Sequence, residues 1–177
     1  LRVSDGRQIW SGSFEDDESD LFRLQDRIAT EVAIALALNL SQNERDLVLR
    51  RYTENVQAYQ AYQRGRYFYF LHVPKADKLD KALAEFEEAI RLDPNYALAF
   101  TGLSDVYWQQ ALSTDNLETR RRLYENAEDA ANKAIAIDPN LGEAYASLGW
   151  IKRNYDWDWA AAEANFKRSI ELAPNVW

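Results

Sequence analysis

One pattern, an apolar-spaced helix that ends at a proline, occurs three times in this chain and limits its possible folds. The segment 89–95 (AIRLDPN) returns at 134–140 (AIAIDPN) and again at 169–175 (SIELAPN), with the prolines 45 and 35 residues apart. Because proline pushes the residue before it out of the helical region, each copy predicts the end of a helix. Three such ends at similar intervals predict an array of helical repeats.

Positions counted back from each proline carry similar residue types. The residue five positions back is small: Ala89, Ala134 and Ser169. Eight positions before the three prolines lie Phe86, Ala131 and Phe166, in chain order. Twelve positions before them lies an alanine in every copy: Ala82, Ala127 and Ala162. The preceding helices place small residues at a matching position: Gly65, Ser104 and Gly149. Small residues let two helices cross closely and bulky ones fill the space beside the crossing, so these positions predict the helix–helix contacts.

These positions and their spacing resemble the tetratricopeptide repeat (TPR), a helix–turn–helix unit of about 34 residues. The resemblance covers residues 55–177 and implies an all-α, right-handed solenoid of about three helical hairpins. The implied repeats are 58–94, 97–139 and 142–174, with the start of a further repeat at 175–177.

The second unit is longer than the family's pattern. Ser104 and Ala127 are 23 residues apart, where about 12 is usual in such repeats. We expect the excess to lengthen the second helix of this unit. Asp115 is predicted to cap the start of that helix, with Glu118 three residues later completing a reciprocal cap.

The first part of the chain has a different pattern. Two short alternating runs flank an Asp-Gly pair within residues 1–10, which predicts a β-hairpin. Apolar residues at helical spacing follow over 21–40, and a capping pattern opens a linking helix at 41–54. The run 3–26 resembles the end of a TolB-like α/β domain, which precedes TPR arrays in many bacterial signalling and transcription-regulatory proteins. The resemblance implies that residues 1–40 are the C-terminal remnant of such a domain, and that the chain is an interior piece of a larger protein.

Charge and composition exclude several classes of function. The net charge of −8 and the pI of about 4.8 disfavour direct binding to nucleic acid or to anionic membranes. No apolar run has transmembrane length, so membrane insertion is not expected. The chain has no cysteine, which excludes disulfides and thiolate metal sites. We expect a cytoplasmic protein, or a periplasmic one if a transmembrane helix precedes this segment in the parent.

Residues that carry chemistry elsewhere have simpler interpretations here. His72 is the single histidine and lacks a nucleophile pattern around it. The acidic run 15–20 lacks the spaced ligands and the glycine of a calcium loop. Asp156 and Asp158 precede an alanine run, which favours helix capping over metal binding. The basic residues 120–122 are predicted to form a solvated face. We therefore predict no catalytic residue, no metal site and no cofactor.

The resemblance also implies a binding site. TPR arrays bind extended or helical peptides in a concave groove lined by the first helix of each unit. The groove positions carried over to this chain are Tyr59, Tyr62, Arg66, Tyr69, Phe70, Thr101, Asp105, Trp108, Gln109, Ala146, Trp150, Arg153 and Asn154. Tyrosine, tryptophan and arginine are enriched at binding hot spots. Alternatively, several of the tyrosines pack against the preceding helix at 41–51.

The leading prediction is a non-catalytic scaffold that binds a protein or peptide within a larger signalling or regulatory protein. The lysine and asparagine clamp with which chaperone-type arrays hold a C-terminal carboxylate is missing, because Arg66 and Asp105 stand where asparagines are expected. A C-terminal acidic peptide is therefore not the expected ligand. The alternative is a self-association module that forms a homodimer. An enzyme is the least favoured class.

Overall fold

The computed structural model describes residues 50–70 and 76–173, together with Leu24, Ile28, Glu31 and Val32, four isolated helical positions. Contacts along the chain divide it into two compact units, Leu1–Val56 and Gln57–Trp177. The hairpin predicted within residues 1–10, most of the helix predicted over 21–40 and most of the linking helix at 41–54 lie outside the described residues. The helices within 50–70 and 76–173 are α1 Val56–Phe70, α2 Ala76–Leu92, α3 Ala97–Ser113, α4 Leu117–Ile137, α5 Gly142–Ile151 and α6 Trp159–Leu172.

Each helix from α2 to α6 packs against the next one along the chain, and α3 also contacts α5. All regular structure in the described ranges is helical, which confirms the predicted all-α fold there. None of these helices is both long enough and apolar enough to cross a bilayer. The first helices of the repeats are α1, α3 and α5, and the second helices are α2, α4 and α6. The residues that hold first and second helices together are called the seam below.

The repeated Asp-Pro-Asn sequence ends α2 and α4 in the same way. The amide of Asn95 donates to the Asp93 carboxylate (3.0 Å), and the amide of Asn140 donates to the Asp138 carboxylate (3.1 Å). The next amide donates to the aspartate carbonyl in both turns, at 3.1 Å. The backbone of Asp138 is extended, as expected for a residue before proline. Proline alone would only end the helix, whereas the aspartate side chain also organises the turn that follows it.

Close packing against glycine forms the seam at the first repeat. The Phe86 ring is fully buried between Gly65 of α1 and Gly102 of α3. A Cβ atom added at Gly65 or Gly102 would lie 2.7 Å or 2.5 Å from the ring carbon Cε1. Neither position has room for a side chain, so the crossing requires glycine on both sides of the ring.

The third repeat uses the same pair of residue types, and the second repeat does not. A Cβ at Gly149 would lie 2.6 Å from Cε1 of Phe166. In the second repeat, the corresponding positions hold Ser104 and Ala131, both fully buried. The Ser104 hydroxyl donates to the Ala127 carbonyl at 2.7 Å, which links α3 directly to α4. The predicted small positions are therefore buried in all three repeats.

The second helix of the second repeat is lengthened as predicted, and α4 has 21 residues. The predicted cap at Asp115 is wrong. The capping residue is Asn116, whose side chain accepts a hydrogen bond from the amide of Thr119 at 2.9 Å. The helix begins one residue later than the Asp115 cap required, because asparagine is as good a cap as aspartate.

A π-helical segment, Lys152–Asp156, separates α5 from α6. The Lys152 ammonium pairs with Asp156 at 2.7 Å and with Glu128 of α4, which fixes this widened turn against the neighbouring helix. The backbone of Trp157 then adopts a left-handed conformation, with φ 55°. Asp158 caps α6 by accepting from the amide of Ala161 at 2.9 Å, which confirms the capping role predicted for it.

Candidate functional site

A cavity of about 350 Å³ lies between the first helices α1, α3 and α5, with Phe86 from α2 also in its lining. This cavity and its rim are called the groove below. Nine of the residues carried over from the family resemblance line it: Tyr62, Arg66, Tyr69, Phe70, Thr101, Asp105, Trp108, Ala146 and Trp150.

Four predicted groove residues are not part of the lining. Tyr59 lies one turn earlier on α1, and its hydroxyl accepts a hydrogen bond from Gln63 (2.7 Å). Gln109 lies on α3, where its main-chain carbonyl accepts a hydrogen bond from the Ser113 hydroxyl. Arg153 and Asn154 lie in the π-helical segment, where the widened turn changes the direction of successive side chains relative to an α-helix.

Two tryptophans from neighbouring repeats form one wall of the groove. The ring centroids of Trp108 on α3 and Trp150 on α5 are 6.1 Å apart, and Trp150 also contacts Phe166 edge-on at 5.3 Å. Trp150 retains 37% of its exposure and Trp108 is partly buried. The Arg153 guanidinium lies 5.3 Å from the centroid of the Trp150 ring. The wall is therefore held by packing while part of it faces solvent.

The α1 side of the groove is built around a buried tyrosine. The Tyr62 ring packs against Phe86 and Tyr96 at centroid distances of 5.7 Å and 5.1 Å, and burial raises the pKa of its hydroxyl. Arg66 donates to that hydroxyl at 2.9 Å and lies over the exposed Phe70 ring at 4.7 Å. The Arg66 side chain is thereby held along α1, with its charge at the rim of the groove.

Asp105 of α3 has the most perturbed carboxylate in the groove. Burial raises its pKa to about 6, although the Ser147 hydrogen bond and the Arg66 charge both act to lower the pKa. The Ser147 hydroxyl on α5 donates to this carboxylate at 2.7 Å, so the bond joins the first helices of two repeats. The side chain of Glu143 lines the same cavity, and its charge acts to raise the pKa of Asp105.

Glu143 and Ser147 line the groove but were not among the predicted residues, although the sequence carries a signal for both. Residues 143, 146, 147 and 150 lie on one face of a helix, because side chains three or four positions apart are stacked. Counting back from Trp150 by one and two turns would have found Ser147 and Glu143. Their importance depends on the approach of α5 to α3, which the repeat pattern leaves open.

The groove lining contains few side chains that can titrate. Its titratable side chains are Tyr62, Arg66, Tyr69, Asp105 and Glu143, which do not include a serine–histidine or cysteine–histidine pair. Within residues 50–70 and 76–173, no group of three or more histidine, aspartate or glutamate side chains is placed to hold a metal ion. His72 and the acidic run 15–20 lie outside the described residues.

The basic residues 120–122 lie on α4, away from the groove lining. Arg120 donates to the carbonyl of Thr114, Arg121 pairs with Glu125 at 3.7 Å, and Arg122 pairs with Glu118 at 3.5 Å. Arg121 and Arg122 are exposed, as predicted for a solvated face, whereas Arg120 is partly buried against the turn before α4.

Comparisons with known proteins support the TPR resemblance for part of the chain and for the fold. A family model described as TPR repeat matches residues 75–110. The solved structure titled "First TPR of Spaghetti (RPAP3) bound to HSP90 peptide SRMEEVD" is similar, with a TM-score of 0.52 and 20% identity, over 71% of this chain and 86% of that one.

A second solved structure, titled "MamA RS-1 ArsTM double mutant", aligns over 90% of this chain and 96% of that one, at 18% identity and a TM-score of 0.28. No curated protein matches the sequence. Taken together, the repeat match at residues 75–110 and the similarity to the RPAP3 structure show that the described helices have the fold of a TPR array.

Proposed function

We propose that the chain is a non-catalytic interaction module that binds a peptide segment of another protein in the groove. One observation carries this proposal: α1, α3 and α5 jointly line a cavity of about 350 Å³ in which large aromatic side chains remain partly exposed. Cavities of this size, mainly apolar with few polar groups, are typical of ligand sites. The similarity in fold to a TPR domain whose structure holds a peptide supports a peptide as the kind of ligand.

The groove residues favour binding over a purely structural role. Trp150 and Phe70 are 37% and 53% exposed although they flank a packed core. Aromatic side chains of this kind supply a large contact area at low cost in conformational entropy, and they dominate the energetics of many interfaces. A partner that covers both rings would remove apolar surface from water and gain binding energy from it.

The proposed setting is a larger bacterial signalling or transcription-regulatory protein. In this setting a TolB-like domain precedes the array, and binding in the groove is relayed to it through the helix predicted over 21–40. The proposal rests on the family resemblance of residues 3–26. We propose a cytoplasmic location, or a periplasmic one for a parent that carries an upstream transmembrane helix.

A random-peptide display library selected on the purified chain tests the groove directly. Clones that bind the wild type should bind Trp150→Ala at least about tenfold more weakly, because hot-spot aromatics commonly contribute that much. Leu117→Ala is the control, since Leu117 is 76% exposed on α4 and does not line the groove. Circular dichroism verifies that both variants are folded. Failure to select any clone, or equal binding to both variants, would overturn the proposal.

A second candidate function is self-association, favoured by one observation. Trp157, Trp159 and Ile170, on and just before α6, are 69%, 59% and 53% exposed. Exposed apolar groups of this size are commonly covered by a neighbouring repeat or by a partner. Sedimentation velocity over a concentration series tests this idea. A homodimer that dissociates in a Trp157→Ser, Trp159→Ser double variant would support it, and a monomer at every concentration would exclude it.

A further inference from the structure

We infer that the groove recognises a protein segment presenting an arginine or lysine side chain, which enters between the two tryptophans and the carboxylates of Asp105 and Glu143. The inference rests on the proposed function, because it specifies the ligand of the same groove. The ligand side chain that enters the cavity is positively charged, which is the opposite of the charge of an acidic peptide.

The charges of the lining are not balanced. Asp105 and Glu143 contribute two negative charges when ionised, and Arg66 contributes one positive charge. Arg153 lies outside the lining, with its guanidinium against the Trp150 ring. The Arg66 guanidinium is directed to the Tyr62 hydroxyl and the Phe70 ring, and the single hydrogen bond to the Asp105 carboxylate comes from the neutral Ser147 hydroxyl. No ion pair within the described residues includes Asp105 or Glu143. A carboxylate in a partly desolvated position without a direct ion pair favours a ligand that supplies one.

The aromatic wall is suited to the same ligand. A guanidinium or ammonium group over a tryptophan face is attracted by the ring quadrupole, and tryptophan is the best of the aromatic residues for this contact. The chain already shows the interaction at Trp150, where Arg153 lies 5.3 Å from the ring centroid. The methylene stem of an arginine or lysine would cover the apolar part of the cavity while its charged end reaches the carboxylates.

The negative charges of the groove would repel an acidic ligand. A peptide carboxylate placed in the cavity would face Asp105 and Glu143, and bringing like charges together in a partly buried site is unfavourable. The single cation of the lining, Arg66, is already engaged with Tyr62 and Phe70. The groove therefore differs in charge from a site built to hold an acidic peptide such as SRMEEVD, the peptide in the RPAP3 structure.

The test uses the display clones whose binding depends on Trp150. We expect arginine or lysine to recur at one position of the selected sequences. The strongest clone is then made as a capped synthetic peptide, in one form with the basic residue and in another with citrulline in place of arginine, or acetyl-lysine in place of lysine. Isothermal titration calorimetry on the wild type should show about tenfold or greater weakening for the neutral form, as found for close interfacial charge pairs.

Two variants assign this loss to the carboxylates. In Glu143→Gln and in Asp105→Asn, which retains an acceptor for Ser147, the difference between the charged and neutral peptides should shrink several-fold. Glu163→Gln is the matched control, because Glu163 pairs with Lys167 on α6 and lies outside the groove lining. An unchanged difference in both groove variants would overturn the inference.

The two proposals fail in different ways. Clones that depend on Trp150 but carry no recurring basic residue, or that are enriched in acidic residues, would leave peptide binding intact and overturn the charge preference. The absence of any clone that depends on Trp150 would overturn the proposed function itself.

Discussion

The first helices of this array have two faces, the seam and the groove, which are built by opposite rules. On the seam, glycine, serine and alanine leave space that a neighbouring ring or helix fills completely. On the groove, Tyr69, the two tryptophans and the two carboxylates stay partly uncovered. Neighbouring residues can belong to different faces, as Ser104 and Asp105 do. Substitutions on the seam should therefore lower stability, while substitutions on the groove should change binding without a comparable loss of stability.

Two phenylalanines give the largest expected contrast between the faces. Phe86 is fully buried in the seam, and Phe70 at the groove rim is 53% exposed. Phe86→Ala should lower the free energy of unfolding by about 3–5 kcal/mol, because it leaves a cavity between two helices that cannot close on it. Phe70→Ala should cost less than about 1 kcal/mol. Urea denaturation measures both, and equal losses would contradict the assignment of the two faces.

The tightness of the seam can be tested by adding a single methyl group. Gly102→Ala places a Cβ 2.5 Å from the Phe86 ring, which is itself fixed between Gly65 and Gly102. We expect a loss of about 2 kcal/mol in the free energy of unfolding, since overpacking outweighs the better helix propensity of alanine. Thermal and urea unfolding of the variant measure the loss.

Gly149→Ala is the control for this prediction. Its added Cβ would lie 2.6 Å from Phe166, a ring that is only partly buried and has room to move. This variant should lose less stability than Gly102→Ala. A larger loss at Gly149 would show that the ring of Phe86 is the more mobile of the two.

On the groove, Asp105 should behave in the opposite way to a seam residue. Its pKa of about 6 lies above the value of about 3.9 for an unfolded aspartate, so the folded chain binds more protons between pH 4 and pH 6. Protonation of Asp105 in the folded chain therefore adds to the free energy of unfolding below pH 4, and this contribution is lost as the pH rises through 6. The charges that face the carboxylate are Arg66 from α1 and Glu143 from α5.

Asp105→Asn should therefore be more stable than the wild type at pH 7, by about 1–2 kcal/mol. This is less than the full pKa shift implies, because the side chain remains partly exposed. The gain should vanish near pH 4, where the wild-type carboxyl is protonated. Asp129→Asn, an exposed site on α4, provides the control. Urea denaturation at pH 4 and pH 7 measures the gain, and a variant less stable than the wild type at pH 7 would contradict this prediction.

The seam was more predictable from the sequence than the groove, for a physical reason. Volume complementarity at a helix crossing repeats with the unit, so Gly65, Ser104 and Gly149 were identifiable by counting from the prolines. Groove membership depends on the approach of α3 to α5, which counting from the prolines does not encode. Ser147 and Glu143 could be found only by applying helical spacing back from Trp150. The local geometry of the chain was also less predictable from the sequence than the seam.

Two local details show where the sequence patterns failed. Asp115 and Asn116 are both good capping residues, and it is the Asn116 side chain that accepts from the Thr119 amide. The π-helical segment at Lys152–Asp156 is joined by the Lys152–Glu128 ion pair to α4, a contact with a different helix. A pattern based on α-helical spacing therefore placed Arg153 and Asn154 in the groove, although neither side chain lines the cavity.

Ser104 gives the smallest predicted effect and the closest comparison with the groove, because Asp105 follows it directly. The Ser104 hydroxyl is fully buried and donates to the Ala127 carbonyl at 2.7 Å. Ser104→Ala should lower the free energy of unfolding by about 1 kcal/mol at both pH 4 and pH 7, because a neutral hydrogen bond is lost and no charge changes. Asp105→Asn, in contrast, should change stability with pH and in the opposite direction. If Ser104→Ala were neutral, the Ala127 carbonyl would be satisfied by its own helix alone, and the small volume of residue 104 would be the property that the seam of the second repeat requires.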